Sequence, residues 1–183
     1  SGDAICDVLF GDKVPSGKLT ATMPKSVGQI PLYYNHLNTG RPLKEGKWFT
    51  KFTSNYLDID NDPLYPFGYG LSYTTFKYGK PTLSSNTMTN NETISVSVDI
   101  TNTGNYDADE IAQMYIRDLA ASVSRPVKEL KGFERISIKK GETKTVTFTI
   151  TPEDLKFYNQ ELEYKNEPGE FEVMVGPNSK DVQ

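Results

Sequence analysis

From Thr93 to Val175 the chain alternates. Ile94, Val96, Val98 and Ile100 are apolar, and Thr93, Ser95, Ser97 and Asp99 between them are polar. That two-residue period predicts a strand with one buried face. Asn102-Thr103-Gly104-Asn105 is a turn cluster. Ile111 to Ile116 follows as a second strand, apolar enough on both faces to be central. Leu130 to Ile138 supplies a third, with Ile136 and Ile138 on one face, and Lys139-Lys140-Gly141-Glu142 the next turn. Val146, Phe148 and Ile150 then alternate with Thr145, Thr147 and Thr149. Phe157, Leu162 and Tyr164 mark a further strand, or a pair around a turn near Asn159. Asn166-Glu167-Pro168-Gly169 turns again, and Phe171, Val173 and Val175 close the set. Short strands at even spacing, with no helical pattern between them, predict a mainly β fold: an antiparallel sandwich of about seven strands over residues 79–183.

The pattern before residue 79 is different. Ala4, Ile5, Val8 and Leu9 share one side of a short helix, with Gly11 placed to end it. Pro15-Ser16-Gly17 reads as a turn, and Leu19, Ala21 and Met23 as alternate positions of a strand stopped by Pro24. Residues 1–25 therefore read either as the closing helix–turn–strand of an α/β domain or as an N-terminal ornament on the next domain. Without a sheet of its own, this stretch is expected to fray, to fold back, or to pair with a second copy. Residues 26–78 have no clean period. They hold 12 of the chain's 21 aromatic residues, punctuated by Pro31, Pro42, Pro63, Pro66, Gly40, Gly46, Gly68 and Gly70. Rings in that number argue against a floppy linker. The expectation is an extended, glued-down strap whose rings pin it to neighbouring domains, with rings stacking on sugar as the alternative.

Composition narrows the function. The chain has 183 residues, enough for one domain plus an appendage, and a net charge of −4. A mildly acidic chain does not advertise a nucleic-acid partner. No apolar run approaches the roughly 20 residues of a membrane helix. One Cys and one His cannot close an intramolecular disulfide or build a zinc cage. The start, Ser1-Gly2-Asp3, carries neither Met nor a signal-peptide apolar region and reads as cut from something longer.

Candidate chemistry is thin. A Ser–His nucleophile would need His36, the lone histidine, and no Gly-x-Ser-x-Gly elbow is present. His36 is expected to pack or hydrogen-bond. Cys6 is expected to be a buried, inert thiol beside Ile5 and Leu9. Gly68-Tyr69-Gly70 lacks the third glycine and following helix of a dinucleotide loop, and is better explained as a tight turn entering the sandwich. Asp107, Asp109 and Glu110, and Glu161, Glu163 and Glu167, read as charged edges. Asp58, Asp60 and Asp62 only faintly resemble a calcium loop. Asn91-Glu92-Thr93 fits a glycosylation acceptor, a frequent chance match.

Several longer runs are specific when taken together. They are Asp7-Val8-Leu9-Phe10-Gly11-Asp12, Pro15-Ser16-Gly17-Lys18-Leu19, and Gln29-Ile30-Pro31-Leu32-Tyr33-Tyr34-Asn35-His36 with Thr39-Gly40-Arg41-Pro42. Then come Tyr65-Pro66-Phe67-Gly68-Tyr69-Gly70-Leu71-Ser72-Tyr73, Thr101-Asn102-Thr103-Gly104, and Arg125-Pro126-Val127-Lys128-Glu129-Leu130-Lys131-Gly132-Phe133. In this order they resemble the C-terminal part of glycoside hydrolase family three over essentially the whole chain. The resemblance implies the end of an α/β-sandwich domain (1–25), a connecting strap (26–78) and an immunoglobulin/fibronectin type III-like sandwich (79–183). It implies a β-glucosidase-like, retaining parent enzyme in the periplasm or outside the cell. Its partners would be the upstream barrel and α/β domains and a carbohydrate substrate, with self-association through residues 1–78 a further expectation. The family nucleophile is an Asp in a Ser-Asp-Trp motif of the barrel. Here the one Trp, Trp48, follows Lys47, and no Ser-Asp pair occurs. The family's acid/base Glu also lies ahead of these residues. No catalytic, cofactor or metal residue is therefore carried onto this chain, which is expected to brace the catalytic domains. The alternative is a carbohydrate-binding module using the strap's aromatic residues.

Overall fold

The computed structural model describes residues 2–44, 47 and 49–183. Trp48 lies outside them.

The alternating stretch folds into antiparallel sheets. The strands are β1 (Phe76–Tyr78), β2 (Thr82–Leu83), β3 (Ile94–Asn102), β4 (Ala108–Asp118), β5 (Glu129–Ile138), β6 (Thr143–Ile150), β7 (Phe157–Tyr158), β8 (Tyr164–Lys165) and β9 (Phe171–Gly176). One sheet is built on β3, which carries β6 along one edge and the short β1 and β2 along the other. The second sheet runs β5-β4-β9. The β7–β8 hairpin forms a two-stranded sheet of its own, outside both layers. The sandwich edge is filled instead by β1 and β2, two pieces too short to show a period.

The alternation sets what is buried. Val96, Val98 and Ile100 on β3 and Val146, Phe148 and Ile150 on β6 point inward, with Val98 opposite Val146 and Val96 opposite Phe148. Ala112, Met114 and Ile116 of β4, Ile138 of β5 and Val175 of β9 meet them from the other sheet. Their polar neighbours stay outside, where Ser97 bonds Thr147 and Thr101 bonds Thr143 hydroxyl to hydroxyl. β4 is central, as its two apolar faces require.

The Thr101–Gly104 turn is held by a buried amide. Asn102 donates from Nδ2 to the Tyr106 and Ile138 carbonyls, at 2.7 and 3.0 Å. Its Oδ1 accepts the Thr74 hydroxyl and the Gly104 amide. Gly104 cannot be replaced cheaply, because a Cβ there would stand 2.6 Å from the Thr75 backbone nitrogen.

The first stretch forms helix α1 (Gly2–Phe10), closed by Gly11 at φ 83°, as the sequence predicts. The strand expected over Leu19–Met23 does not form. Leu19 donates to the Tyr69 carbonyl and accepts from the Gly68 amide, and Met23 pairs with Tyr65 as a single bridge. Its partner is an irregular segment. Pro66, without an N–H, interrupts the ladder between those two points. The stretch thus folds back on the aromatic segment. Among the described residues, no helix is long and apolar enough to cross a membrane.

Candidate functional site

The outer face of β4 is the place where the aromatic segment and the sandwich meet. Gln113 and Tyr115 project from it, opposite Ala112 and Met114, and both are buried. A two-faced buried strand needs a cover, and the aromatic segment supplies it. Tyr34 stacks on Phe67 with ring centroids 4.2 Å apart, and meets Tyr115 edge-on at 5.9 Å. The Tyr34 hydroxyl accepts the Leu130 amide, at 3.2 Å. Beneath the rings, Gln113 donates from Nε2 to the Gly68 and Pro177 carbonyls, at 3.1 and 2.6 Å, and accepts the Tyr115 hydroxyl on Oε1, at 2.6 Å. Burial, and then the nearby Tyr34, push the Tyr115 phenol well above its ordinary range.

A second junction ties residues 1–25 to the sandwich. Lys18 reaches both oxygens of Glu110 on β4, at 3.0 and 3.2 Å, and the Tyr78 hydroxyl of β1 donates to Glu110 Oε1, at 2.9 Å. The Lys18 and Glu110 side chains are 13% and 5% exposed, which makes this a buried ion pair. Burial first, then the Glu110 charge and hydrogen bond, drive the Tyr78 phenol far above its usual value.

A third junction closes the aromatic segment on itself. Gln29, fully buried, donates from Nε2 to the Asp60 and Asp62 carbonyls and accepts the Lys25 and Ser26 amides on Oε1. Lys25 bonds the Asp60 carboxylate at 2.7 and 2.8 Å, holding it below the usual carboxylate range.

Other residues singled out in the sequence are scattered and engaged. His36 is exposed; Nδ1 lies 3.0 Å from the Leu37 carbonyl, and its own carbonyl accepts the Val127 amide. Cys6 is exposed, which corrects the expectation of a buried thiol. The helix buries none of its residues, so there is no interior for the thiol to enter. Asp107 accepts the Lys140 amide, Glu163 pairs with Lys165, Asp62 pairs with Lys180, and Glu167 accepts Ser122. Asn91 lies exposed in the turn before β3. Among the described residues no group of His, Cys, Asp and Glu could hold a metal ion. These networks hold chain segments together.

Asp109 carries a testable consequence. Its hydrogen bond from Ser137, assisted by Arg135, holds the carboxyl below its ordinary value. A depressed carboxyl stabilises the fold above its unfolded pKa, and that contribution disappears as pH falls toward the folded value. Asp109→Asn is expected to lower stability near neutrality and to leave it less pH-dependent below about pH 4. Urea melts of both forms across that range check this, and parallel pH profiles would contradict it.

The comparisons with known proteins fit this construction. A model described as the glycosyl hydrolase family 3 C-terminal domain matches residues 1–73, and one described as a fibronectin type III-like domain matches residues 110–179. A periplasmic beta-glucosidase of Salmonella typhimurium is 57% identical across 100% of this chain, which covers 24% of that protein. A beta-xylosidase of Formosa agariphila is 48% identical across 98% of the chain, again covering 24% of the relative. The crystal structure of a beta-glucosidase from Listeria innocua in complex with gluconolactone superposes with a TM-score of 0.93 at 46% identity, over 100% of this chain and 25% of that one. The chain belongs to glycoside hydrolase family 3. It corresponds to the C-terminal part of its relatives and spans about a quarter of their length.

For a family-3 chain the reading of the sequence missed the residues that matter most at the junctions. Gln113, Glu110 and Gln29 were not singled out as buried partners. Gln113 carried a signal, being an amide inside a strand apolar on both faces. A buried amide there must find several partners. Lys18 carried none, because a lysine where a turn passes into an expected strand reads as solvated.

Proposed function

We propose that this chain is the non-catalytic brace of a β-glucosidase-like exo-glycosidase that cleaves terminal β-linked sugars with retention of configuration. Retaining hydrolysis needs two carboxylates about 5 Å apart on either side of the glycosidic bond. On this reading both belong to parts of the parent outside these residues, and none of the side chains here is catalytic. Residues 1–25 close an α/β-sandwich domain, 26–78 form an aromatic strap, and 79–183 the fibronectin type III-like sandwich. Counting β1, which the last residues of the strap contribute, with β2, β3 and β6 in one layer and β5, β4 and β9 in the other, we read the sandwich as seven-stranded.

The observation that carries the reading is the bare face of α1. On the side they share with Ala4 and Val8, Ile5 and Leu9 are 65% and 71% exposed. An apolar helix stripe stabilises a fold only when something covers it. The α/β and barrel domains of the parent are the partners we assign to it; a second copy meeting through residues 1–78 would use the same face. The names of the relatives support β-glucosides and β-xylosides as substrates, and the Salmonella name supports a periplasmic or secreted location. The strap's inward rings, Tyr34 and Phe67, serve as pins.

The test compares the chain with the full-length protein on an aryl β-glucoside. The full-length protein is expected to turn over with the β anomer formed first, and the chain alone to give no turnover. Turnover by the chain above the buffer blank would overturn the assignment.

A further inference from the structure

The β7–β8 hairpin holds two tyrosine rings in solvent that the fold does not use. Tyr158 and Tyr164 are direct cross-strand partners, so they share a face. Their centroids are 5.1 Å apart, their planes are inclined at 46°, and they are 64% and 52% exposed. The hairpin beneath them is anchored. Phe157, on the opposite face, is buried against the Arg125 guanidinium, which lies 4.3 Å from its ring centroid. Asn159 is buried and accepts the Glu161 and Glu163 amides on Oδ1, at 3.0 and 2.9 Å. Gln160 donates to the Ser122 carbonyl at 2.9 Å. At the tip Leu162 is held at φ 61°, a conformation unfavourable for a side chain of that size. The rings are therefore ordered before anything binds, and little entropy is lost when something does.

The surroundings decide between occupants. Lys156, Glu161, Glu163 and Lys165 share the hairpin with the rings. The centre of a protein–protein interface is depleted in charge. Two rings also cover far less than the roughly 800 Å² that a stable protein partner buries. A pyranose matches better. Its C–H face lies on an aromatic ring, and its rim of hydroxyls needs donors and acceptors close by. On the ring side the Lys156 ammonium lies 6.0 Å from the Tyr164 centroid as a donor, and Glu153, which bonds that ammonium, places an acceptor beside it. Rings tilted at 46° cannot both lie flat on the face of a crystalline polysaccharide. They can meet successive residues of a single chain that twists in solution.

The geometry points to Tyr158 and Tyr164 as a binding site for soluble β-linked gluco- or xylo-oligosaccharides. The sugar class rests on the family-3 reading above, and the site itself on the hairpin.

The test titrates the chain with cellohexaose and with xylohexaose, following backbone amides by NMR. The expected result is saturable shifts confined to residues 156–165, with a dissociation constant below about 1 mM for at least one sugar. Tyr158→Ala and Tyr164→Ala should each weaken binding about tenfold or more. Tyr158→Phe should retain it, and Tyr33→Ala, which removes an equally exposed ring elsewhere, should leave it unchanged. No saturable shift with either sugar overturns the proposal. So does equal loss in Tyr33→Ala, or hairpin shifts that follow protein concentration and mark a second copy. Binding by the chain alongside a full-length protein that cleaves no aryl β-glucoside would remove the parent reading and keep the site. Cleavage without binding would do the reverse.

Discussion

Glu110→Ala is expected to destabilise the chain by about 3 kcal/mol or more, the cost of leaving a lysine buried without its counter-charge. Lys18 would keep a side chain only 13% exposed and lose both carboxylate oxygens, and the Tyr78 hydroxyl would lose its acceptor. Breaking one side of a buried pair costs more than the pair contributes, because desolvation is no longer offset. The same logic predicts recovery. Exchanging the whole cluster for apolar side chains of similar volume, as in Lys18→Met with Glu110→Leu and Tyr78→Phe, is expected to restore most of the loss. Equilibrium urea unfolding measures both. Hydrogen exchange adds the structural readout, because the Leu19 amide bonds to Tyr69 just beyond the latch and should lose protection in Glu110→Ala. A loss below about 1 kcal/mol in the single variant would mean that the pair behaves as a solvated surface bridge.

Gly68→Ala should be comparably damaging for a different reason. Gly68 sits at φ 79°, which costs a non-glycine residue about 1 kcal/mol, and its missing side chain is space already taken. A Cβ would stand 2.0 Å from Gln113 Oε1 and 2.8 Å from its Cδ. Gln113 cannot retreat, because its amide holds the Gly68 and Pro177 carbonyls and the Tyr115 hydroxyl at once. Moving it breaks up to three buried hydrogen bonds, each about 1 kcal/mol, which with the backbone angle brings the total loss to about 4 kcal/mol at most. The aromatic segment should loosen before the β-sheets do. The Ser179 amide, which donates to the Phe67 carbonyl, is the probe for this, and Val98 in the core is the control. In Gly68→Ala with Gln113→Ala the two losses should add to less than their sum, because the second change removes the collision. Strict additivity would show that Gly68 matters only through its backbone angle.

The two variants separate what the sequence shows from what it hides. Strands β3, β6 and β9 are legible because each buries alternate residues along its own length, and β4 because it is apolar on both faces. The bare α1 helix is legible in its apolar stripe and its closing glycine. β1 and β2 are not legible, because two or three residues carry no period and pair only where β3 offers an open edge. The strand expected at Leu19–Met23 has the right alternation, yet it lacks a regular partner. Cys6 was misread for a related reason: an apolar side of a helix is a statement about hydropathy and says nothing of what lies against it. Tyr164 reads only as the mark of a strand and Tyr158 is not singled out, since exposure and ring tilt are properties of the folded hairpin.

By itself, then, the order of residues determined the longer strands β3, β4, β6 and β9 and the turns between them, because these follow from local spacing and local chemistry, while the family entered through the resemblance of its longer runs. Tertiary structure alone decided that Lys18 meets Glu110, that Gln113 sits under Gly68, and which rings turn inward and which face water. Those contacts join residues tens of positions apart, and burial and charge pairing act through space, where one-dimensional periodicity carries no record of them.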